Sequence, residues 1–162
     1  MILAIGSDER TALTDAVIEE LERKGHLLRR FGALKDNASP EERRWTAAAQ
    51  AVAEAVSRGE CHNGILFCWT GTGVAMAANK VPGIRAALCG DAETAKGARR
   101  WNDANVLVMS LRTTSIPIAM EMLREWFITL PDTDAENRAC LAELQDLEKR
   151  YLLQHVSDIQ QQ

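Results

Sequence analysis

The chain has 162 residues, 46% of them hydrophobic and 26% charged, with a net charge of −4. That is the size of one domain with enough apolar material for a core, and its negative balance argues against a nucleic-acid backbone or an anionic membrane as partner. No apolar run approaches the roughly 20 residues of a membrane span, and the opening Met1–Gly6 stretch is too short for the apolar part of a signal peptide. A cytoplasmic location is therefore expected. Cys61, Cys68, Cys89 and Cys140 show no CxxC spacing, which argues against a zinc site or a disulfide framework.

Ile2-Leu3-Ala4-Ile5 ends at Gly6 and reads as a buried parallel strand, followed by a loop over Ser7-Asp8-Glu9-Arg10. Leu13, Ala16, Val17, Ile18 and Leu21 give 11–24 the spacing of an amphipathic helix, with Gly25 as its stop. A second strand is predicted over 26–31. Ser39 is predicted to cap the next helix, with Pro40 at its first position and Glu41-Glu42 in its first turn, running to about Arg58. Gly64-Ile-Leu-Phe-Cys68 reads as a strand, Trp69-Thr70-Gly71-Thr72-Gly73 as a turn, and 74–79 as a helix. Two more apolar strands are predicted over 84–88 and 105–109, with helices near 91–101, 115–128 and 133–153.

This alternation of strands and helices predicts βαβ units. The expected fold is α/β: a three-layer, doubly wound, five-stranded parallel sheet in the Rossmann-like order 2-1-3-4-5. One domain is expected over 1–153, with a frayed tail over 154–162. Ligands of such sheets bind at the carboxyl ends of the strands, at the point where the strand order reverses. That puts Asp8, Cys68 and the glycine-rich turn side by side. Free N–H groups in the turn can hold an anion or a developing oxyanion. A cysteine at its edge can act on a proton or a carbonyl. Many such turns are simply tight turns, and a buried thiol is the plain reading of any cysteine.

The run Gly64-Ile-Leu-Phe-Cys68, then Thr70-Gly71-Thr72-Gly73, Ala77-Ala78-Asn79-Lys80 and Pro82-Gly83-Ile84-Arg85-Ala86, closely resembles the signature of ribose-5-phosphate isomerase B. Asn102-Asp103-Ala104-Asn105-Val106-Leu107 resembles that family's later block, and Ile5-Gly6-Ser7-Asp8 its opening strand and loop. The resemblance, to the ribose-5-phosphate and galactose-6-phosphate isomerases together, spans roughly residues 1–130. It implies aldose–ketose interconversion through an enediolate, with no cofactor and no metal. Cys68 matches the base and Thr70 the residue that helps open the sugar ring. Gly71, Thr72 and Gly73, with Asn102, match the group that holds the enediolate oxygens. Asp8 matches a sugar contact. A homodimer, or a tetramer of such dimers, with the site completed by the neighbouring chain, is also implied.

The departures are specific. The family's Asp-His in the first loop is Asp8-Glu9 here, and its His-Asn-Asp is Trp101-Asn102-Asp103. Trp69 replaces the glycine after the cysteine, and Ser110-Leu111-Arg112 replaces Gly-Gly-Arg. A Gly-Gly-Arg-His segment near the C-terminus is missing, with Arg138 its one candidate remnant. A carboxylate at Glu9 opposes a phosphate, and Trp69 and Trp101 favour an apolar part of the substrate or shrink the pocket. Each also has a plain reading: Glu9 as an exposed acid, Trp69 as a subunit contact, Trp101 as filling. The expectation is an atypical isomerase or epimerase acting on a sugar-like substrate other than a simple pentose 5-phosphate. An ordinary aldose–ketose phosphate isomerase and a non-catalytic partner subunit are the alternatives.

Overall fold

Five short segments, four of them apolar and one (27–32) carrying Arg29 and Arg30, meet in one parallel sheet, and the amphipathic segments between them cover its two faces. The computed structural model describes the backbone of residues 1–159 and the side chains of 1–152. In chain order the elements are β1 (Ile2–Ser7), α1 (Ala12–Arg23), β2 (Leu27–Gly32), α2 (Trp45–Ser57), β3 (Asn63–Cys68) and α3 (Thr72–Ala78). They continue as β4 (Ala86–Leu88), α4 (Ala92–Asn102), β5 (Val106–Ser110), α5 (Ile116–Ile128) and α6 (Ala135–Ile159). The frayed tail expected over 154–162 ends in residues 160–162, which lie outside the described residues.

The sheet order is β2-β1-β3-β5-β4. The doubly wound α/β class is as expected, but the last two strands of the predicted order 2-1-3-4-5 are exchanged. Burial explains it. β5 is buried along its whole length and takes the inner place beside β3, pairing Gly64 with Val106 through Cys68 with Ser110. β4 has three residues, none fully buried, and suits an edge. Ile84 and Arg85 drop out of it because the Arg85 N–H donates to Asn105 Oδ1 at 2.8 Å.

Two apolar layers form. Leu3, Ile5, Ile65, Phe67, Leu107 and Met109 pack against α1, α4 and α5, with Trp126 fully buried. Ala4, Leu66, Cys68, Val106 and Val108 pack against α2 and α3. Truncating a buried aromatic such as Trp126 costs about 3–5 kcal/mol. The Trp126 indole N–H also donates to Asn63 Oδ1 at 3.0 Å, so this residue is core and not a free contact surface.

Thr11 caps α1 in a reciprocal pair with Thr14, and Gly25, at φ 79°, ends the turn that follows. α2 starts later than the expected cap at Ser39. Ser39 and Glu42 do bond each other reciprocally, at 2.8 and 3.2 Å, but they close an isolated turn. Arg44 is extended, at φ −61° and ψ 136°, so the helix begins at Trp45.

Candidate active site

The strand order reverses between β1 and β3. Ser7 pairs with Phe67, so the next residues out from the sheet are Asp8 and Cys68. Adjacent parallel strands lie about 4.8 Å apart, which brings these two residues to one spot from distant parts of the chain. Cys68 is buried, and its side chain belongs to the layer under α2 and α3, beside Val74.

The chain turns sharply after Cys68. Gly71 stands at φ 78° and precedes α3 without a side-chain cap. A Cβ there would meet Leu88 Cδ1 at 2.4 Å, which the exposed leucine could relieve by swinging aside, so it is the backbone angle that requires glycine. The N–H groups that open α3 have no helical partner. The turn is fastened to the end of β5. The Leu111 N–H donates to the Cys68 carbonyl and the Arg112 N–H to the Trp69 carbonyl, both at 3.0 Å. The Ser110 hydroxyl donates to the same Trp69 carbonyl at 2.9 Å. Ser110, which replaces a glycine of the family pattern, has no role in the sequence reading; its signal is a polar residue closing an otherwise apolar strand. Arg112 itself is exposed at this edge. The hydroxyls of Thr70 and Thr72 lie 2.7 Å apart and bond each other.

Asp8 contributes a half-buried carboxylate whose Oδ1 is enclosed and has no hydrogen-bond partner. Burial holds this carboxyl above its ordinary value, and the charge of Glu9 reinforces the shift. Glu9 is exposed, and its backbone N–H donates to Ser7 Oγ at 3.2 Å. The site edge thus holds two neighbouring acids.

Trp45 was missed in the sequence, where it reads as one more residue of an alanine-rich helix. The late start of α2 sets its indole over the turn: a Cβ on Gly73 would lie 3.1 Å from Trp45 Cε3. Trp45 is 43% exposed and Trp69 58%, so two indoles border the glycine turn. Trp45 also lines a cavity of about 550 Å³ with Gln50, Met76 and Lys80.

Trp101 and Asn102 lie elsewhere. They end α4, which runs back to the start of β5, so both sit roughly 13 Å or more from Cys68 along the strands at 3.3 Å per residue. Trp101 folds over Gly97 of its own helix and is 56% exposed. Asn102 lines a groove of about 930 Å³ between α6 and the starts of β4 and β5, together with Arg138 and Tyr151. That groove is therefore at the opposite edge from the cysteine. Within one chain the structure gathers Asp8, Glu9, Cys68, Trp69, Thr70, Gly71, Thr72, Gly73 and Arg112, and leaves Trp101 and Asn102 apart.

A doubly wound sheet carries a thiol, a carboxylate oxygen without a partner and a glycine turn side by side at its switch point. The family model described as Ribose/Galactose Isomerase matches residues 3–141, and the chain belongs to that family of isomerases. It is 40% identical over 101 residues to a putative sugar phosphate isomerase, YwlF, of Bacillus subtilis, covering 62% of this chain and 67% of that protein. It is 33% identical to the D-erythrulose-4-phosphate isomerase of Pectobacterium atrosepticum, over 76% of this chain and 80% of the relative. Among solved structures, the ribose-5-phosphate isomerase B of Clostridium thermocellum superimposes with a TM-score of 0.83 at 32% identity, covering 93% and 99% of the two chains.

Proposed function

We propose that this isomerase interconverts an aldose and a ketose by moving one proton between neighbouring carbons, with Cys68 as the base. The observation that carries the reading is the meeting of Cys68, Asp8 and the glycine turn at the switch point. The Cys68 thiolate takes the proton beside the carbonyl, an enediolate forms, and the proton returns to the adjacent carbon. The turn amides around Gly71 and Gly73 hold the enediolate oxygen. Asp8 accepts a sugar hydroxyl through its bare oxygen. Thr70 assists ring opening, as the family resemblance implies.

The substrate we assign is a sugar-like compound other than a simple pentose 5-phosphate. Asp8 and Glu9 set negative charge at the mouth, Arg10 is tied to Asp15 at 2.7 Å, and Trp45 and Trp69 narrow the approach. A relative named for a four-carbon ketose phosphate is consistent with a short substrate. Trp101 and Asn102 then complete the site from a second copy of the chain, in a homodimer, since their own Cys68 is out of reach. The free thiols of Cys61, Cys68, Cys89 and Cys140 suit the reducing cytoplasm.

The test is proton exchange in deuterated water, followed by NMR over phosphorylated and free four- to six-carbon sugars. Exchange is expected on a short or modified sugar, reduced about 10³-fold in Cys68→Ala. Exchange confined to ribose 5-phosphate would overturn the substrate assignment. Exchange that survives Cys68→Ala would remove Cys68 as the base.

A further inference from the structure

We infer that Thr72 is a positioning residue that sets the hydroxyl of Thr70. The inference rests on the isomerase reading above. The two Oγ1 atoms are 2.7 Å apart, the normal length of an O–H···O hydrogen bond. Both residues are exposed at the mouth of the turn. Thr72 opens α3, which has no side-chain cap from Gly71, and its hydroxyl is directed at Thr70.

A hydroxyl has one proton and two lone pairs. A bonded pair therefore keeps one proton for a third group. When Thr72 donates, the Thr70 proton is free to point at a substrate oxygen, and the bond received makes Thr70 a better donor. A lone Thr70 hydroxyl on an exposed turn would rotate among solvent partners. Thr72 thus gives it one orientation, at the cost of one rotor. The oxygen served is the ring oxygen of a cyclic sugar: as its bond to the anomeric carbon breaks it takes up a proton while the anomeric hydroxyl gives one up, and the Thr70 hydrogen bond supports the negative charge it gathers on the way. An open-chain substrate has no such requirement.

The test compares wild type, Thr72→Val and Thr72→Ser. Valine keeps the branched shape and removes the hydroxyl. On a ring-closed aldose, Thr72→Val should lower kcat about five-fold, the worth of one hydrogen bond, with KM changed less than about two-fold. Thr72→Ser should restore kcat. The Thr70→Val/Thr72→Val double variant should lose no more than Thr70→Val alone. Equal kcat in Thr72→Val and wild type, or independent multiplicative losses in the double variant, would overturn the inference. The same four-variant cycle read by urea unfolding needs no substrate. Coupling of about three- to five-fold in the folding constant is expected, and additive effects overturn the inference. Absence of turnover in the wild type would count against the isomerase reading alone.

Discussion

At Asp8 the protein keeps a carboxylate oxygen enclosed and without a partner, an arrangement that costs stability and that the proposed contact with a substrate hydroxyl would relieve. The pH behaviour follows from the raised carboxyl. The folded protein holds this proton more tightly than the unfolded chain, so the Asp8 contribution is most favourable in acid and is lost as pH climbs through the folded value. Asp8→Asn should therefore melt higher than wild type at pH 7, and the gap should close on acidification below the ordinary carboxylate range, as thermal unfolding across pH will show. Gly71 is a residue of the opposite kind, required for its missing side chain. Gly71→Ala adds left-handed strain and pushes the exposed Leu88 side chain aside, and should lower stability by about 1–2 kcal/mol in denaturant unfolding. The glycine pattern of the turn was legible in the sequence because its chemistry is local. The covering of Gly73 by Trp45 was not, because the two residues meet only through the packing of α2 on α3.

Among the elements, α5 docks at the corner between α1 and β2 through a stack of His26 on Phe127, with ring centroids 5.0 Å apart. The buried Nδ1 of His26 has no partner. Burial, helped by the N-terminal amine and Lys24, holds this imidazole below its ordinary value. Neutral His26 thus supports the fold above the ordinary histidine range, and that support is lost as pH falls through it toward the folded value. Wild type should lose stability between about pH 7 and 5, and His26→Gln should flatten that limb of the curve. The start of α2 is what sets Trp45 over the glycine turn. Ser39 and Glu42 carry a strong start signal, yet the bonds between them close a separate turn. The delay to Trp45 places an indole, rather than Pro40, at the first helical position beside the glycine turn.

For the whole molecule, the separation of Asn102 from Cys68 gives a direct test of a shared site. Light scattering should report a dimer. α6 leaves Leu144, Leu147 and Tyr151 largely exposed, a stripe suited to burial against a second copy. Cys68→Ala and Asn102→Ala should each be nearly inactive alone. Unfolded and refolded together, they should recover about a quarter of wild-type activity, since half the random dimers carry one intact site of two. No recovery would mean that both residues serve the same chain's site.

The sequence by itself determined the class of fold and which residues meet at the switch point of the sheet. Strand and helix periods, caps and the Thr70-Gly71-Thr72-Gly73 turn are written in windows of about ten residues, where backbone hydrogen bonding and alternation act. Only the tertiary structure decided that β5 lies inside β4, that α2 begins at Trp45, and that Trp101 and Asn102 stand at the far edge of the sheet. These depend on which buried surface wins when all the elements compete for one core. The fully apolar β5 displaces the short, half-buried β4 from the interior, and a helix returning beneath the sheet carries its last residues away from the strand ends where Cys68 stands.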